Sequence, residues 1–282
     1  MPHTDPNTQR EKAAAFRKLH EGPPILVLAN AWDVASARVF EDAGFPAVAT
    51  SSAGVAWALG YPDGEGISRA EMAEAVRRIA AGVAVPVTAD MEAGYGPEPA
   101  AVAETVRAVI AAGAVGMNLE DSTRDAAGPL FDFALSVERV RAARAAADAA
   151  GVPLVLNART DVFLAAVGDE GGRLEHAVRR ANAYREAGAD CLFVPGVRDA
   201  ATIEALVRQI RGPINILAGP GTPSVPELQR FGVARVSVGG GPARAALAVA
   251  RRIAQELRGP GTYTAFTQDV LTYQEVNRLM AR

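Results

Sequence analysis

The chain has 282 residues, of which 49% are hydrophobic and 22% are charged, with a formal net charge of -3. This length suits a single α/β barrel, and the slightly acidic balance excludes a basic surface for nucleic acid. The lone cysteine, Cys191, cannot form an internal disulfide, which favours a reducing cytoplasm. A polar N-terminus and the lack of a long apolar run argue against a signal peptide and a membrane span. We therefore expect a cytoplasmic protein.

Eight short apolar runs recur along the chain, and an Ala/Arg/Glu-rich stretch with apolar residues at helical spacing follows most of them. The runs occupy residues 25–29, 47–50, 85–89, 116–119, 154–157, 191–194, 214–218 and 236–238. Helical stretches are predicted at residues 69–81, 100–112, 136–150, 174–187 and 201–210. Eight such units predict a closed parallel (β/α)₈ barrel, also called a TIM barrel, rather than an open sheet.

Several helix boundaries are readable from the sequence. Ser68 and Ser136 each precede a helical stretch and are predicted to be N-caps. Four Ala-Gly pairs are predicted to end helices, because glycine adopts the left-handed conformation of a helix stop; the glycines are Gly44, Gly113, Gly151 and Gly188. We expect one barrel domain at residues 1–258 and a helical tail at residues 259–282. The tail is predicted to pack either on its own barrel or on a neighbouring subunit.

Charged and amide side chains follow the third, fourth and fifth apolar runs. Residues two apart on a strand share a face, and three such pairs occur here: Asp90 with Glu92, Asn118 with Glu120, and Asn157 with Arg159. Barrel enzymes have their active sites at these carboxyl-terminal strand ends. We therefore expect the carboxylates of Asp90, Glu92 and Glu120 to converge at one mouth.

Three carboxylates held close together at neutral pH need a proton or a cation between them. Oxygen ligands suit a hard ion, so Mg²⁺ or Mn²⁺ is expected. Arg159 would supply a planar fork for a carboxylate or an oxyanion. One acidic residue at a strand end is more often a helix cap or a surface group, but acidic ends on two neighbouring strands favour a metal site.

The segment D-M-E-A-G-Y-G at residues 90–96 resembles the metal motif of the isocitrate lyase/phosphoenolpyruvate mutase superfamily. Other segments resemble the same superfamily in order and spacing across residues 25–241. They are S-S-A-G at 51–54, G-Y-P-D at 60–63, L-E-D at 119–121, A-R-T-D at 158–161 and A-Y-R-E-A-G-A-D at 183–190.

The resemblance implies a role for each matching residue at the metal. Asp90 would be the principal metal carboxylate, and Glu92 and Glu120 would bind the metal's waters or the metal itself. Arg159 would bind the substrate and stabilise an oxyanion. The superfamily also exchanges its last helix between subunits, so a homo-oligomer, either a tetramer or a dimer, is expected.

The remaining substrate contacts are implied by the resemblance in the same way. Ser51, with the backbone N–H groups of Ser52 and Ala53, would receive a 2-oxo carboxylate. Asp63 would lie on a mobile segment over the site and take part in catalysis. Tyr95 would either donate a hydrogen bond to the substrate or pack at the rim. Asn157, on the same strand face as Arg159, is a further candidate for substrate binding.

Two departures from the superfamily narrow the expected chemistry. The lyases carry a K-[KR]-C-G-H loop after the fourth strand, but residues 120–129 contain no Cys, His or Lys, and Arg124 is their one cation. Phe193-Val194-Pro195 stands where the lyases have Glu and mutases often have His. We therefore expect a carbon–carbon bond to be cleaved or formed through a metal-stabilised enolate, as in an oxaloacetate decarboxylase or a lyase that releases a 2-oxo acid.

Two alternatives remain open. The first is an enzyme of phosphorus–carbon bonds, a phosphoenolpyruvate mutase or a phosphonopyruvate hydrolase. The second is a 2-oxo acid binding protein that has lost catalysis. The histidines, His3, His20 and His176, do not follow strands, so histidine acid–base catalysis is not expected. The glycines at 239–241 are predicted to form a tight turn rather than a phosphate cradle.

Overall fold

Eight parallel strands pair in sequence order, and the last pairs with the first, so the sheet closes into a barrel. This computed structural model of the protein describes residues 6–281. The strands are β1 (Leu26–Ala31), β2 (Val48–Thr50), β3 (Val87–Asp90), β4 (Gly116–Glu120), β5 (Val155–Arg159), β6 (Cys191–Phe193), β7 (Ile214–Leu217) and β8 (Arg235–Ser237). Each contains part of one of the eight apolar runs, so the predicted (β/α)₈ TIM barrel is confirmed.

Helices surround the barrel and connect its strands. They are α1 (Pro6–Lys18), α2 (Val34–Asp42), α3 (Ser52–Ala58), α4 (Arg69–Gly82), α5 (Pro99–Ala111), α6 (Phe133–Ala149), α7 (Arg173–Glu186), α8 (Ala200–Gln209), α9 (Val225–Phe231), α10 (Gly241–Arg258) and α11 (Tyr273–Met280). Short 3₁₀ turns lie at Glu170–Gly172 and Thr264–Phe266. None of the helices in residues 6–281 combines the length and the hydropathy needed to cross a bilayer.

Most of the predicted helix boundaries agree with the structure. Ser68 caps α4 in a reciprocal capping box with Glu71. The predicted Ser136 cap is wrong, because α6 begins one turn earlier and Asp132 caps it. Ser136 is instead buried within the helix. The four predicted stop glycines all have positive φ, at 87° for Gly44, 86° for Gly113, 66° for Gly151 and 109° for Gly188.

The barrel interior contains both apolar and polar layers, and the fully buried Arg235 at the start of β8 lies near its amino-terminal end. At the amino-terminal end, Phe16 of α1 packs with buried Leu28 and Ala49. The next layer is polar, since Asn118 pairs in register with Asn157. The last residues of β4 and β5, Glu120 and Arg159, are also register partners. β4 and β5 therefore end in charged residues at the carboxyl-terminal mouth.

The C-terminal region carries most of the exposed apolar surface. Of the thirteen exposed large hydrophobic residues, nine follow residue 241. Although α10 has 18 residues, only Ala243 of that helix is buried. By contrast, α11 lies against α2, where Arg38 donates to the carbonyl oxygens of Leu279, at 3.1 Å, and Met280. The tail thus contacts its own barrel, whereas α10 leaves its apolar side chains uncovered.

Candidate active site at the barrel mouth

Asp90 ends β3 with one carboxylate oxygen bonded and the other free. Its Oδ2 accepts hydrogen bonds from Ser52 N at 3.2 Å and Ser52 Oγ at 2.8 Å. Its backbone N–H donates to Thr50 Oγ1 at 2.9 Å, which fixes the end of the strand. Asp90 Oδ1 is buried without a hydrogen-bond partner among the described residues. This oxygen is therefore available to a ligand at the mouth.

Glu92 does not lie on the strand, so the alternation of side chains along β3 does not determine its position. The strand ends at Asp90, and Glu92 has a left-handed φ of 52°. Glu92 Oε2 accepts from Glu65 N at 2.6 Å and from Arg124 Nη2 at 2.6 Å, whereas its Oε1 is buried without a partner in residues 6–281. Burial raises the pKa of Glu92 to about 7, with Arg124 opposing the shift and Asp90 adding to it.

The turn after β3 is held by a buried arginine of α6. Arg139 donates to the carbonyl oxygens of Gly96 and Pro97, both at 2.6 Å, and to that of Ala93. Its guanidinium also lies 4.2 Å from the ring centre of Phe131. A single side chain thus satisfies three carbonyls of an irregular segment. Sequence analysis missed Arg139, because nothing in the helical pattern distinguishes it from a surface arginine.

Arg159 at the end of β5 is already held by two carboxylates. Its Nη1 lies 2.7 Å from Glu120 Oε2, and its Nε and Nη2 donate to Asp161 at 2.5 Å and 2.8 Å. Burial alone would lower the pKa of Arg159, but Glu120 and Asp161 raise it overall. Burial also raises the pKa of Glu120, and Arg159 opposes that shift. The expected fork is therefore cationic and oriented by Asp161, a positioning residue that sequence analysis did not assign.

A buried network fixes the loop that carries Asp161. Asp121 Oδ1 accepts from Asp161 N at 2.9 Å. Asp121 Oδ2 accepts from Tyr184 Oη at 2.6 Å and from Arg180 Nη1 at 3.1 Å. Asp121 and Tyr184 belong to segments that resemble the superfamily, which is the signal that could have identified them. The network explains how Asp161 stays aligned with Arg159.

Arg124 lies between two of the three predicted metal carboxylates. Its Nη2 is 2.6 Å from Glu92 Oε2 and 2.9 Å from Glu120 Oε1. Arg124 has a left-handed φ of 63° in the loop after β4. Within residues 6–281, no three His, Cys, Asp or Glu side chains are grouped as a metal-binding set. Glu92 and Glu120 therefore meet on one guanidinium group, a contact that the sequence does not predict, and the grouping of all three carboxylates around a metal stays a prediction.

The segment expected to bind the 2-oxo carboxylate lies beside Asp90. Ser51 caps α3, and its Oγ accepts from Gly54 N at 3.1 Å. Ser51 and Ser52 are both buried, and the N–H of Ser52 already donates to Asp90. Ala53 lines an open cavity at the mouth. Of these three residues, Ala53 therefore presents itself most directly to a ligand.

The other candidate residues are spread over three environments. Asp63 is exposed and lines the same cavity as Ala53. The hydroxyl of Tyr95 is buried without a partner in the described part of the chain, and burial raises its pKa. Asn157 is completely buried and donates to Asn118 Oδ1 at 2.7 Å, in the layer below Arg159. Cys191 is buried where β6 begins, and burial raises its pKa to about 12.

The histidines lie away from this mouth. His20 is buried near the amino-terminal end of the barrel, where its ring contacts Phe16 edge-on. His176 is on α7, and its Nε2 lies 3.1 Å from Arg180 Nε. His3 lies outside the described residues. Neither described histidine contacts the carboxylates of the site.

A cavity of about 320 Å³ lies at the ends of β6, β7 and β8, with Ala53 and Asp63 also in its wall. Arg198 and Arg244 line it, and neither guanidinium has a hydrogen bond or an ion pair with a described residue. The glycines at 239–241 also line it, where they join β8 to α10. Asn30 Oδ1 accepts from the N–H groups of Val238 and Gly239, both at 2.9 Å, so this turn is held in place.

Known proteins resemble this chain in sequence and in fold. The phosphoenolpyruvate phosphomutase family matches residues 16–258. An oxaloacetate decarboxylase of Rhodopseudomonas palustris (strain TIE-1) is 32% identical over 216 residues, which are 75% of this chain and 72% of that protein. A Burkholderia cenocepacia J2315 structure, provisionally described as a lyase/mutase, is 42% identical with a TM-score of 0.92, over 98% of both chains. A phosphonopyruvate hydrolase bound to oxalate and Mg²⁺ is 26% identical with a TM-score of 0.84, over 96% of this chain and 95% of that one.

The chain therefore belongs to the phosphoenolpyruvate phosphomutase family, within the isocitrate lyase/phosphoenolpyruvate mutase superfamily. This confirms the class predicted from the sequence, an enzyme of a superfamily of lyases and mutases. One of the similar structures, the phosphonopyruvate hydrolase, holds Mg²⁺ together with oxalate, a small dicarboxylate.

Proposed function

We propose that the protein is a divalent-metal-dependent enzyme that breaks or forms a carbon–carbon bond beside the carbonyl of a small 2-oxo carboxylate. Decarboxylation of an oxaloacetate-like acid is the leading reaction. One observation carries the proposal: Asp90 Oδ1 and Glu92 Oε1 are buried carboxylate oxygens without partners in the described structure. Because buried polar atoms nearly always have partners, two such oxygens at a barrel mouth favour a bound ligand there. The named oxaloacetate decarboxylases among the relatives support the same reaction.

The donor set fits Mg²⁺ or Mn²⁺, since every candidate ligand is an oxygen. Asp90 would bind the ion through Oδ1, because Ser52 already holds Oδ2. Glu92 and Glu120 would hold the ion's waters, an arrangement common for Mg²⁺. The bound ion supplies positive charge that stabilises negative charge developing on the substrate's carbonyl oxygen.

The chain's own residues would orient the substrate. The segment of Ser51, Ser52 and Ala53 would receive the 2-oxo carboxylate, with Ala53 at the cavity wall. Arg159, aligned by Asp161, would donate to the oxyanion. Its orientation is set before the substrate binds, so little reorganisation is needed in the transition state.

Three further residues would have smaller roles. Asp63 would cover the bound substrate from the exposed side of the cavity. Tyr95 has a hydroxyl without a partner in residues 6–281, which would donate a hydrogen bond. Asn157 would support Arg159 from the layer below through its bond to Asn118. This assignment makes Asn157 a positioning residue instead of a direct substrate contact.

Decarboxylation needs little acid–base chemistry from the protein. The bond from C3 to its carboxylate breaks, CO₂ leaves, and the electron pair moves through C2 to the carbonyl oxygen. The resulting enolate then takes a proton at C3 from solvent. This suits a mouth where Pro195 follows β6 and where Cys191, with a pKa raised to about 12, lies at the opposite end of that strand.

Steady-state assays would test the proposal directly. Purified protein would be incubated with Mg²⁺ and, separately, with oxaloacetate, isocitrate, methylisocitrate and related acids, while pyruvate, glyoxylate and CO₂ are measured. We expect Mg²⁺-dependent turnover of at least one acid and loss of turnover in EDTA. Metal binding with no turnover of any acid would contradict the proposal and favour the 2-oxo acid binding protein.

A phosphorus–carbon bond enzyme is the second candidate, for a specific reason. Arg124 lies at the mouth beside Glu92 and Glu120, where it could also contact a phosphoryl group. The similarity to phosphonopyruvate hydrolase supports this alternative. ³¹P NMR with phosphonopyruvate distinguishes the two candidates, because new phosphate or phosphoenolpyruvate signals would favour the second.

We also propose that the protein forms a homo-oligomer through α10. Leu247, Val249 and Leu257 of this helix are exposed, although such residues are usually covered in a barrel helix. A second copy of this chain would cover them by helix exchange. Light scattering on the wild type should give a dimer or tetramer, and Leu247→Glu should shift it towards the monomer. A monomeric wild type would contradict this assignment.

A further inference from the structure

The cavity at the ends of β6, β7 and β8 contains none of the predicted metal ligands, but Ala53 in its wall directly follows Ser52, which is hydrogen-bonded to Asp90. Its volume of about 320 Å³ is in the size range of small-molecule sites. Ala53, from the segment assigned to the 2-oxo carboxylate, lines one side of it. A substrate held at Asp90 and Arg159 could therefore extend past Ala53 into this cavity.

The charges in the cavity are positive on balance. Arg198 follows β6, and Arg244 lies in the first turn of α10. Asp63 is the one carboxylate in the lining, so two positive charges and one negative charge leave a net charge of +1. Asp63 also interacts electrostatically with Arg124 and Glu92 on the metal side of the mouth. Its negative charge is thereby partly offset by a third arginine.

The two cavity arginines differ from the other arginines at the mouth because they have no acceptor. Arg124 and Arg159 are engaged by carboxylates, and Arg139 by carbonyls. The guanidinium groups of Arg198 and Arg244 have no hydrogen bond or ion pair with any residue that the structure describes. Part of the intervening wall is glycine, at 219 and 239–241, so a ligand can approach the backbone closely.

We propose that Arg198 and Arg244 form a second anion subsite, which binds a carboxylate or phosphoryl group at the far end of the substrate. Guanidinium forks match the geometry of both groups. The preferred substrate would then be longer than oxaloacetate and would carry an additional anionic group beyond the reacting bond. The location of its reactive end rests on the proposed function, whereas anion binding in the cavity does not.

Binding to metal-free protein tests the subsite by itself. EDTA-treated protein would be titrated by calorimetry with inorganic phosphate and, separately, with succinate. We expect Arg198→Gln and Arg244→Gln each to lower the affinity for whichever probe binds more tightly by about tenfold. This is a typical value for one charge-assisted hydrogen bond. Arg107→Gln is the matched control, since Arg107 is exposed on α5 outside the cavity. All three variants should keep the wild-type melting temperature, because the replaced side chains are exposed.

The outcomes separate the possibilities. Tighter binding of phosphate would identify the distal group as phosphoryl, and tighter binding of succinate would identify it as a carboxylate. Undetectable binding of both probes to the wild type would overturn the proposal, as would wild-type affinity in both cavity variants. An equal loss in the Arg107→Gln control would also overturn it, since the effect would then be a general one of surface charge.

A second titration separates this proposal from the proposed function. In the presence of Mg²⁺, oxalate has only the reactive end of the substrate, whereas 2-oxoglutarate adds a distal carboxylate. Arg198→Gln and Arg244→Gln should leave oxalate affinity unchanged and weaken 2-oxoglutarate by about tenfold. If oxalate does not bind to any form, the proposed function fails while the metal-free result stands. Equal weakening of both acids would contradict a distal subsite.

Discussion

The two halves of the barrel mouth use arginine in opposite ways. At the ends of β3, β4 and β5, Arg124 and Arg159 are bound to buried carboxylates, and Arg139 is bound to backbone carbonyls. At the ends of β6, β7 and β8, Arg198 and Arg244 line a cavity without any partner in residues 6–281. The arginine side chains of the first half are held by acceptors of the protein itself, whereas those of the second half are exposed to solvent and to ligands.

On the proposed function, this difference would separate the residues of catalysis from those of substrate specificity. Buried charges must be paired, since an unpaired buried charge has a large desolvation cost. The pairs at β3 to β5 therefore determine the geometry of the reactive end before a substrate arrives. Exposed side chains without partners can be exchanged with little effect on folding. The β6 to β8 half is thus the place where related chains could change substrate while they keep the same chemistry.

The largest expected effect is a loss of activity in Asp90→Asn, at the β3 to β5 half of the mouth. The amide keeps the size of the side chain but removes its charge, so the site loses its principal ligand for a divalent ion. We expect kcat/KM for the accepted acid to fall by roughly 10³-fold, equivalent to several kcal/mol of charge stabilisation. Calorimetry with Mg²⁺ should show a parallel loss of affinity. Asp148→Asn, on the exposed part of α6, is the control, and wild-type kinetics in Asp90→Asn would refute the metal assignment.

The next largest expected effect is on the free energy of unfolding, which should respond differently to an arginine substitution in each half of the mouth. Arg139→Met removes the donor for three carbonyls of the turn after β3. We expect its free energy of unfolding to fall by about 3 kcal/mol, because buried acceptors lose their partners. Arg198→Gln should change it by less than about 0.5 kcal/mol, since that side chain is exposed. Urea denaturation measures both, and equal losses would show that the two halves do not differ in this way.

The smallest expected effect concerns Arg124, which pairs with both Glu92 and Glu120. Removal of its charge in Arg124→Gln leaves two buried carboxylates with one less counterion. We expect Mg²⁺ affinity to rise by roughly tenfold, about the value of one charge-assisted hydrogen bond. Arg141→Gln, an exposed arginine of α6, should leave the affinity unchanged. A lower affinity in Arg124→Gln would show that Arg124 assists the metal instead of competing with it.

The sequence was sufficient to predict the architecture and the three strands that carry the candidate site. Periodic apolar runs and stop glycines are local features, so they identified the strands and most helix ends. Ser136 is the exception, since Asp132 offers an equally good cap one turn earlier. Asp90, Glu120 and Arg159 could be placed together because parallel strands bring their ends to one mouth.

Only the tertiary structure decided what these residues contact. Arg124 bridges Glu92 and Glu120, and the backbone of both Arg124 and Glu92 is left-handed. Periodicity does not encode such turns. The sequence does not distinguish Arg139 from Arg198. In the structure, Arg139 is buried and donates to backbone carbonyl oxygens, whereas Arg198 lines a cavity. Whether an arginine is buried or exposed depends on elements that are far apart in the chain. These elements come together only when the barrel closes.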